Sequence, residues 1–130
     1  MSNNVKIFVG VIIFLILGTV AGVLVQFGSA MPTGPGKYDA FATCLKDKGA
    51  TFYGAFWCLH CQATKKEFGS SARLLPYVEC STLDAASQLQ VCADKKIEGY
   101  PTWEFIDGSR LTGEVSLQQL ADKTACVLPQ

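Results

Sequence analysis

The chain has 130 residues, 49% of them hydrophobic, with 11 basic and 11 acidic side chains and six cysteines. That size leaves room for one ordinary domain, and a neutral balance without a basic run argues against a nucleic-acid surface or an electrostatic membrane-binding patch. All six cysteines follow residue 43, and such a density in a small domain points to an oxidising compartment.

Taken in chain order, the first feature is Ile7 to Val25, 19 residues without a charge. At about 1.5 Å per helical residue this covers roughly the 30 Å hydrocarbon core of a bilayer. Residues 1–27 are therefore expected to be an N-terminal transmembrane anchor. Lys6 precedes the apolar run and Lys37 is the first charge after it, which places the N-terminus in the cytoplasm and the remainder of the chain outside. The competing reading is a cleaved signal peptide, for which Gly28-Ser29-Ala30 offers the small residues. The run, however, is longer than the usual 7–15 residues of a signal h-region. Residues 28–37, rich in glycine and proline, read as a linker, and residues 38–130 as the folded domain.

Within that domain Tyr38 to Lys48 has helical spacing, with Tyr38, Phe41, Cys44 and Leu45 on one face and Gly49 where a C-cap belongs. Ala50 to Phe56 reads as a central strand. Cys58 to Phe68 is helical again, with Cys61, Thr64, Lys65 and Phe68 on one stripe, broken by Gly69-Ser70-Ser71. After a short apolar turn over Ala72 to Leu75, Tyr77 to Cys80 is a short strand. Asp84 to Lys95 is expected to form a helix burying Ala85, Leu89, Cys92 and Ala93. Thr102 to Ile106 and Arg110 to Gly113 flank Asp107-Gly108, a hairpin signal. Ser116 to about Ala125 forms the last helix, with Leu117, Leu120, Ala121 and Thr124 inward. This order predicts an α/β domain with a mixed central sheet and helices on both faces.

The chemistry concentrates in Trp57-Cys58-Leu59-His60-Cys61, where a buried strand turns into a helix. A cysteine at a helix N-terminus meets unpaired N–H groups and the positive end of the dipole, so the Cys58 thiol is expected to ionise near neutral pH and to be the attacking sulfur. Three residues on, Cys61 returns to the same face, less exposed, and can resolve a mixed disulfide. His60, the only histidine, can add charge or a hydrogen bond favouring the reduced thiolate form. No second Cys-x-x-Cys stands beside the pair to complete a closed zinc site, so neither a metal nor a cofactor is expected. The remaining cysteines, Cys44, Cys80, Cys92 and Cys126, allow three pairings.

Trp-Cys-x-x-Cys between strand and helix, followed 40 residues later by the proline of Gly99-Tyr100-Pro101-Thr102, resembles the thioredoxin fold, whose members keep that proline cis beside the active-site disulfide. Several blocks extend the likeness. Phe52 to Gln62, Tyr77-Val78-Glu79-Cys80, Gln90-Val91-Cys92 and Gly99 to Glu104 are similar to the thioredoxin-like domain fused to bacterial homologues of vitamin K epoxide reductase. The resemblance implies a domain that exchanges disulfides with exported proteins and is reoxidised by a separate membrane partner of the epoxide reductase type. It also implies a structural Cys80–Cys92 pair, which leaves Cys44 to Cys126. That second bridge requires the last helix to end near Ala125, because a longer helix would turn Cys126 away from the Leu117 and Leu120 face. Two positions depart from the family: Leu59 stands where proline is common, and Phe52 where thioredoxin carries a buried acid.

The expectation is thus an exported, membrane-anchored thiol–disulfide oxidoreductase acting through Cys58, Cys61, His60 and Pro101, with Trp57 and Tyr100 at the peptide-docking rim. Trp103 is expected in the core. The alternatives are a reductase or isomerase of the same fold, a copper- or zinc-binding thiol module without turnover, a non-catalytic adaptor for a membrane partner, and Cys80–Cys92 as a second exchangeable pair.

Overall fold

The computed structural model describes residues 2–27 and 34–130. It divides into two compact units, 1–33 and 34–130. The first contains one helix, α1 (Asn3–Phe27), whose side chains are described as far as Ile16. Among the described residues no helix is long and apolar enough to cross a membrane. The second half of the expected span, and Gly28-Ser29-Ala30 with most of the expected linker, lie outside the described side chains.

The second unit runs α2 (Asp39–Asp47), β1 (Thr51–Gly54), α3 (Leu59–Phe68), a 3₁₀ helix (Gly69–Leu74), β2 (Tyr77–Glu79), α4 (Gln90–Asp94), β3 (Thr102–Glu104), β4 (Arg110–Thr112) and α5 (Leu117–Thr124). The strands form one sheet in the order β2-β1-β3-β4. β1 is parallel to β2, antiparallel to β3, and β3 is antiparallel to β4, so the sheet is mixed. Adjacent strand residues face opposite ways, and β1 shows the consequence. Phe52 joins the larger core with Phe41 and Leu45 of α2, Phe68 of α3, Trp103 of β3 and Leu120 of α5. Tyr53, on the other face, packs with Cys80, Cys92 and Ile97 around α4. Phe52 and Trp103 stack with ring centroids 4.7 Å apart, so the place of a buried acid in thioredoxin belongs here to an aromatic core.

Most elements fall within a residue or two of their expected limits, and one does not. Gln90–Asp94 is helical, whereas Asp84 to Leu89 is loop, with Ala85 left-handed at φ 57° and both Ala85 and Ala93 exposed. The cause is local. Asp84 accepts from the Thr82 hydroxyl and the Ala86 N–H, and the Thr82 hydroxyl oxygen accepts from the Ser87 N–H. Short polar side chains thereby supply the partners that a helix would have offered. Gly69-Ser70-Ser71 also behaves differently from a simple break, since the chain tightens into the 3₁₀ helix. There Ser71 is buried and accepts the Tyr38 N–H at 3.0 Å.

Candidate functional site

Cys58 follows β1 after a short turn, with its own N–H donating to the Ala55 carbonyl at 3.0 Å. Its backbone is extended (φ −74°, ψ 115°) and it is the N-cap of α3, the position beside the unpaired N–H groups of a helix start. The Cys61 N–H donates to the Cys58 sulfur at 3.2 Å, and the two sulfurs lie 2.7 Å apart as free thiols. A disulfide needs about 2.03–2.05 Å, so closing the ring asks for a small displacement. The sulfurs differ in access: Cys61 is 1% exposed and Cys58 6%. Burial, and then the hydrogen bond to Cys58, push the Cys61 thiol up to about 12. Cys61 therefore holds its proton at neutral pH until exchange requires otherwise.

Cys58 opens into a groove of about 600 Å³ lined by Trp57, Cys58, Leu59, His60, Glu98, Gly99 and Tyr100. Two chain segments forty residues apart thus share one mouth. The Tyr100–Pro101 peptide is cis, and Pro101 is buried at the start of β3. Trp57 is half exposed and Leu59 is exposed, while Trp57 and Tyr100 meet edge to face at 6.0 Å. His60 is exposed, and its Nδ1 pairs with Glu114 Oε1 at 2.5 Å. Trp103, by contrast, is wholly buried.

The chain between Cys80 and α4 loops round to hold both rim aromatics. Trp57 Nε1 donates to Ser81 Oγ at 2.8 Å, and Gln88 Nε2 donates to the Tyr100 hydroxyl at 2.8 Å. A disulfide between Cys80 and Cys92 closes the base of that loop, and a second joins Cys44 of α2 to Cys126. Cys126 reaches inward because α5 ends at Thr124 and Ala125 is left-handed at φ 58°. Cys80 and Cys92 are both fully buried, and they lie in the Tyr53 cluster, separate from the core that holds Cys58 and Cys61.

Behind the thiol pair stands a group whose joint role sequence reasoning did not single out. Glu79, the last residue of β2, accepts the N–H groups of Phe56, Cys80 and Ser81 at 3.2, 3.1 and 2.9 Å, and the Tyr77 hydroxyl at 2.7 Å. Burial works to raise the Glu79 carboxyl, but these four bonds outweigh it and hold the group below its ordinary value. Burial and then the bond to Glu79 hold the Tyr77 phenol well above its ordinary range. Lys65 Nζ lies 3.3 Å from the centre of the Tyr77 ring. A lone acid within the expected strand Tyr77 to Cys80 was the available signal. Among the described residues no group of three or more His, Cys, Asp or Glu side chains is placed to hold a metal ion.

Residues 39–125 match the family model described as Thioredoxin. The chain is also similar to a protein of Arabidopsis thaliana named thiol-disulfide oxidoreductase LTO1, 44% identical over 95 residues. That alignment covers 70% of this chain and 25% of the relative, so the chain spans about a quarter of the length of the curated protein it matches.

Proposed function

Because the chain belongs to the thioredoxin family, we propose that it is a thiol–disulfide oxidoreductase whose working pair is Cys58 and Cys61. One observation carries the reading: two free thiols 2.7 Å apart at the head of α3, with Cys58 facing a groove shared by Trp57 and Tyr100. In the oxidising direction a substrate thiolate attacks the Cys58 sulfur of the Cys58–Cys61 disulfide, and the electron pair of the broken bond leaves on Cys61. A second substrate thiolate then attacks the substrate sulfur of the mixed disulfide and releases Cys58. Trp57 and Tyr100 form the rim against which a peptide lies, and Pro101 sets the backbone beside it. His60, its Nδ1 against Glu114, stands at the edge of the groove, where its ring can contribute a hydrogen bond beside the thiol pair.

The favoured substrates are cysteines of exported proteins. Two disulfides elsewhere in so small a domain favour an oxidising compartment. The apolar stretch Ile7 to Val25 supports a membrane anchor with the N-terminus in the cytoplasm and the domain outside. The resemblance to domains fused to vitamin K epoxide reductase homologues supports reoxidation by a membrane partner of that type. Fractionation of membranes bearing the full chain tests the anchor, which release by alkaline wash would overturn.

Equilibration of the full chain against glutathione tests the activity and its direction. A potential near about −120 to −180 mV is the expected result for an oxidant, and one near about −270 mV would assign a reductase instead. Cys58→Ser should abolish exchange while leaving the fold intact. Undiminished exchange by that variant would overturn the assignment, and stoichiometric copper or zinc binding without exchange would assign a metal-binding module.

A further inference from the structure

Cys61 must carry negative charge in either direction of exchange, as the leaving sulfur when the disulfide opens and as the attacking sulfur when it closes. Yet it is 1% exposed, so water does little to solvate that charge. Lys65 stands one turn further along α3, on the same face as Cys61, and is itself half-buried. Its ammonium rests on the face of the Tyr77 ring. Tyr77 in turn donates to Glu79, which is tied to three backbone N–H groups around the site. Gly54 brings the group and the sulfur together: a Cβ there would lie 2.9 Å from the Tyr77 ring and 3.0 Å from the Cys61 sulfur. The absence of that side chain lets the ring and the thiol share the space over β1.

We propose that Lys65, positioned by Tyr77 and Glu79, is the charge partner of Cys61, its ammonium stabilising the Cys61 thiolate in the step that opens or closes the disulfide. The inference rests on the exchange reading above. The groups facing Cys61 are Cys58 from the turn before α3, Lys65 from α3 itself, and Tyr77 with Glu79 behind it from β2. Tyr77 keeps its proton and Glu79 is ionised, so Lys65 is the positive member of the group. In the closing step the Cys61 thiol gives its proton to a buffer base. Its thiolate then attacks the Cys58 sulfur of the mixed disulfide, a Cys58–Cys61 bond forms, and the substrate leaves with the electron pair of the broken bond. Lys65 keeps its own proton throughout.

The test separates the two sulfurs by reacting the reduced full chain with dithiobis(nitrobenzoate). Attack by Cys58 releases a first thionitrobenzoate, and attack by Cys61 on the resulting mixed disulfide releases a second. An opposite charge within about 4–6 Å of a titrating group is worth about one pH unit or more. Losing it cuts the thiolate population about tenfold, and the higher basicity returns about threefold in nucleophilicity. Lys65→Gln should therefore slow the second phase about threefold relative to the first at neutral pH, which displaces the rising limb of its pH profile by about half a unit. Lys65→Arg, which keeps the charge, should restore both. An unmoved second-phase profile in Lys65→Gln, an equal slowing of both phases, or failure of Lys65→Arg to restore them would overturn the proposal. A wild-type chain that releases no second thionitrobenzoate would instead sink the exchange reading, and this inference with it.

Discussion

At the scale of single residues, Glu79 shows how one carboxylate organises a site it does not enter. Its four hydrogen bonds tie β2 to Phe56, just before the thiol pair, and to Ser81, which holds Trp57. Glu79→Ala removes the acceptor from all four donors and should lower the unfolding free energy at pH 7 by about 1–3 kcal/mol. Because the folded carboxyl titrates below its unfolded value of about 4.3, its stabilisation is complete above that value. It is lost as pH falls through the lower folded one. Urea midpoints at pH 7 and pH 3 check this: the gap between wild type and variant should shrink at the lower pH. An unchanged gap would mean that the ionised carboxylate is not its source. Cys58 and Cys61 themselves were legible in the sequence, because spacing and a strand-to-helix turn suffice to bring them together. Lys65, Tyr77 and Glu79 were not, since their meeting depends on β1 and β2 being parallel with Phe52 opposite Tyr77.

At the scale of elements, local chemistry decided where helices begin and end. Ser116 caps α5 by accepting the Gln119 N–H at 3.2 Å, while the Gln119 side chain accepts the Ser116 N–H at 3.0 Å. Ser116→Ala should cost about 0.5–2 kcal/mol, read as a lowered denaturant midpoint with an unchanged slope. The far end of α5 matters more for topology. Ala125 in the left-handed region turns Cys126 out of the helical phase and into the core, which meets the condition the sequence set for a bridge to Cys44. Residues 84–89 carry the opposite lesson. Apolar spacing over Ala85, Leu89, Cys92 and Ala93 mimicked a helix, but Thr82, Asp84 and Ser87 satisfied the backbone locally. The Cys80–Cys92 bond joins the chain on either side of that loop, with Cα atoms 5.5 Å apart.

Over the whole domain, the two disulfides divide the labour. The Cys44–Cys126 bond spans 82 positions and the Cys80–Cys92 bond 12. On the chain-entropy model these constrain the unfolded state by about 4.5 and about 3 kcal/mol. The double variant Cys44→Ala/Cys126→Ala should therefore lose more stability than Cys80→Ala/Cys92→Ala, measured by denaturation under matched conditions. The shorter bridge sits at the base of the loop that holds Trp57 and Tyr100, so its removal should also reduce kcat/KM for a cysteine-containing peptide. Removing the longer bridge should leave that ratio close to wild type at temperatures where the domain stays folded. The reverse order in kcat/KM would show that the loop does not position the rim, and the reverse order in stability that loop length does not set what each bridge contributes.

What the sequence determined by itself was short-range: helical and strand periodicity, the Asp107-Gly108 hairpin, the C-terminal cap of α2, and the Cys-x-x-Cys pair at a helix start. Each of these depends on residues within a few positions of one another, where spacing alone dictates geometry. The tertiary structure decided what periodicity does not encode. It gathered Lys65, Tyr77 and Glu79 behind the thiol pair, turned an apparent helix into the loop behind the groove, and left Gly54 as the opening through which Tyr77 approaches Cys61. The physical reason is common to all three: burial and hydrogen-bond satisfaction are settled by strand register across the sheet, and register joins residues that lie far apart in the chain.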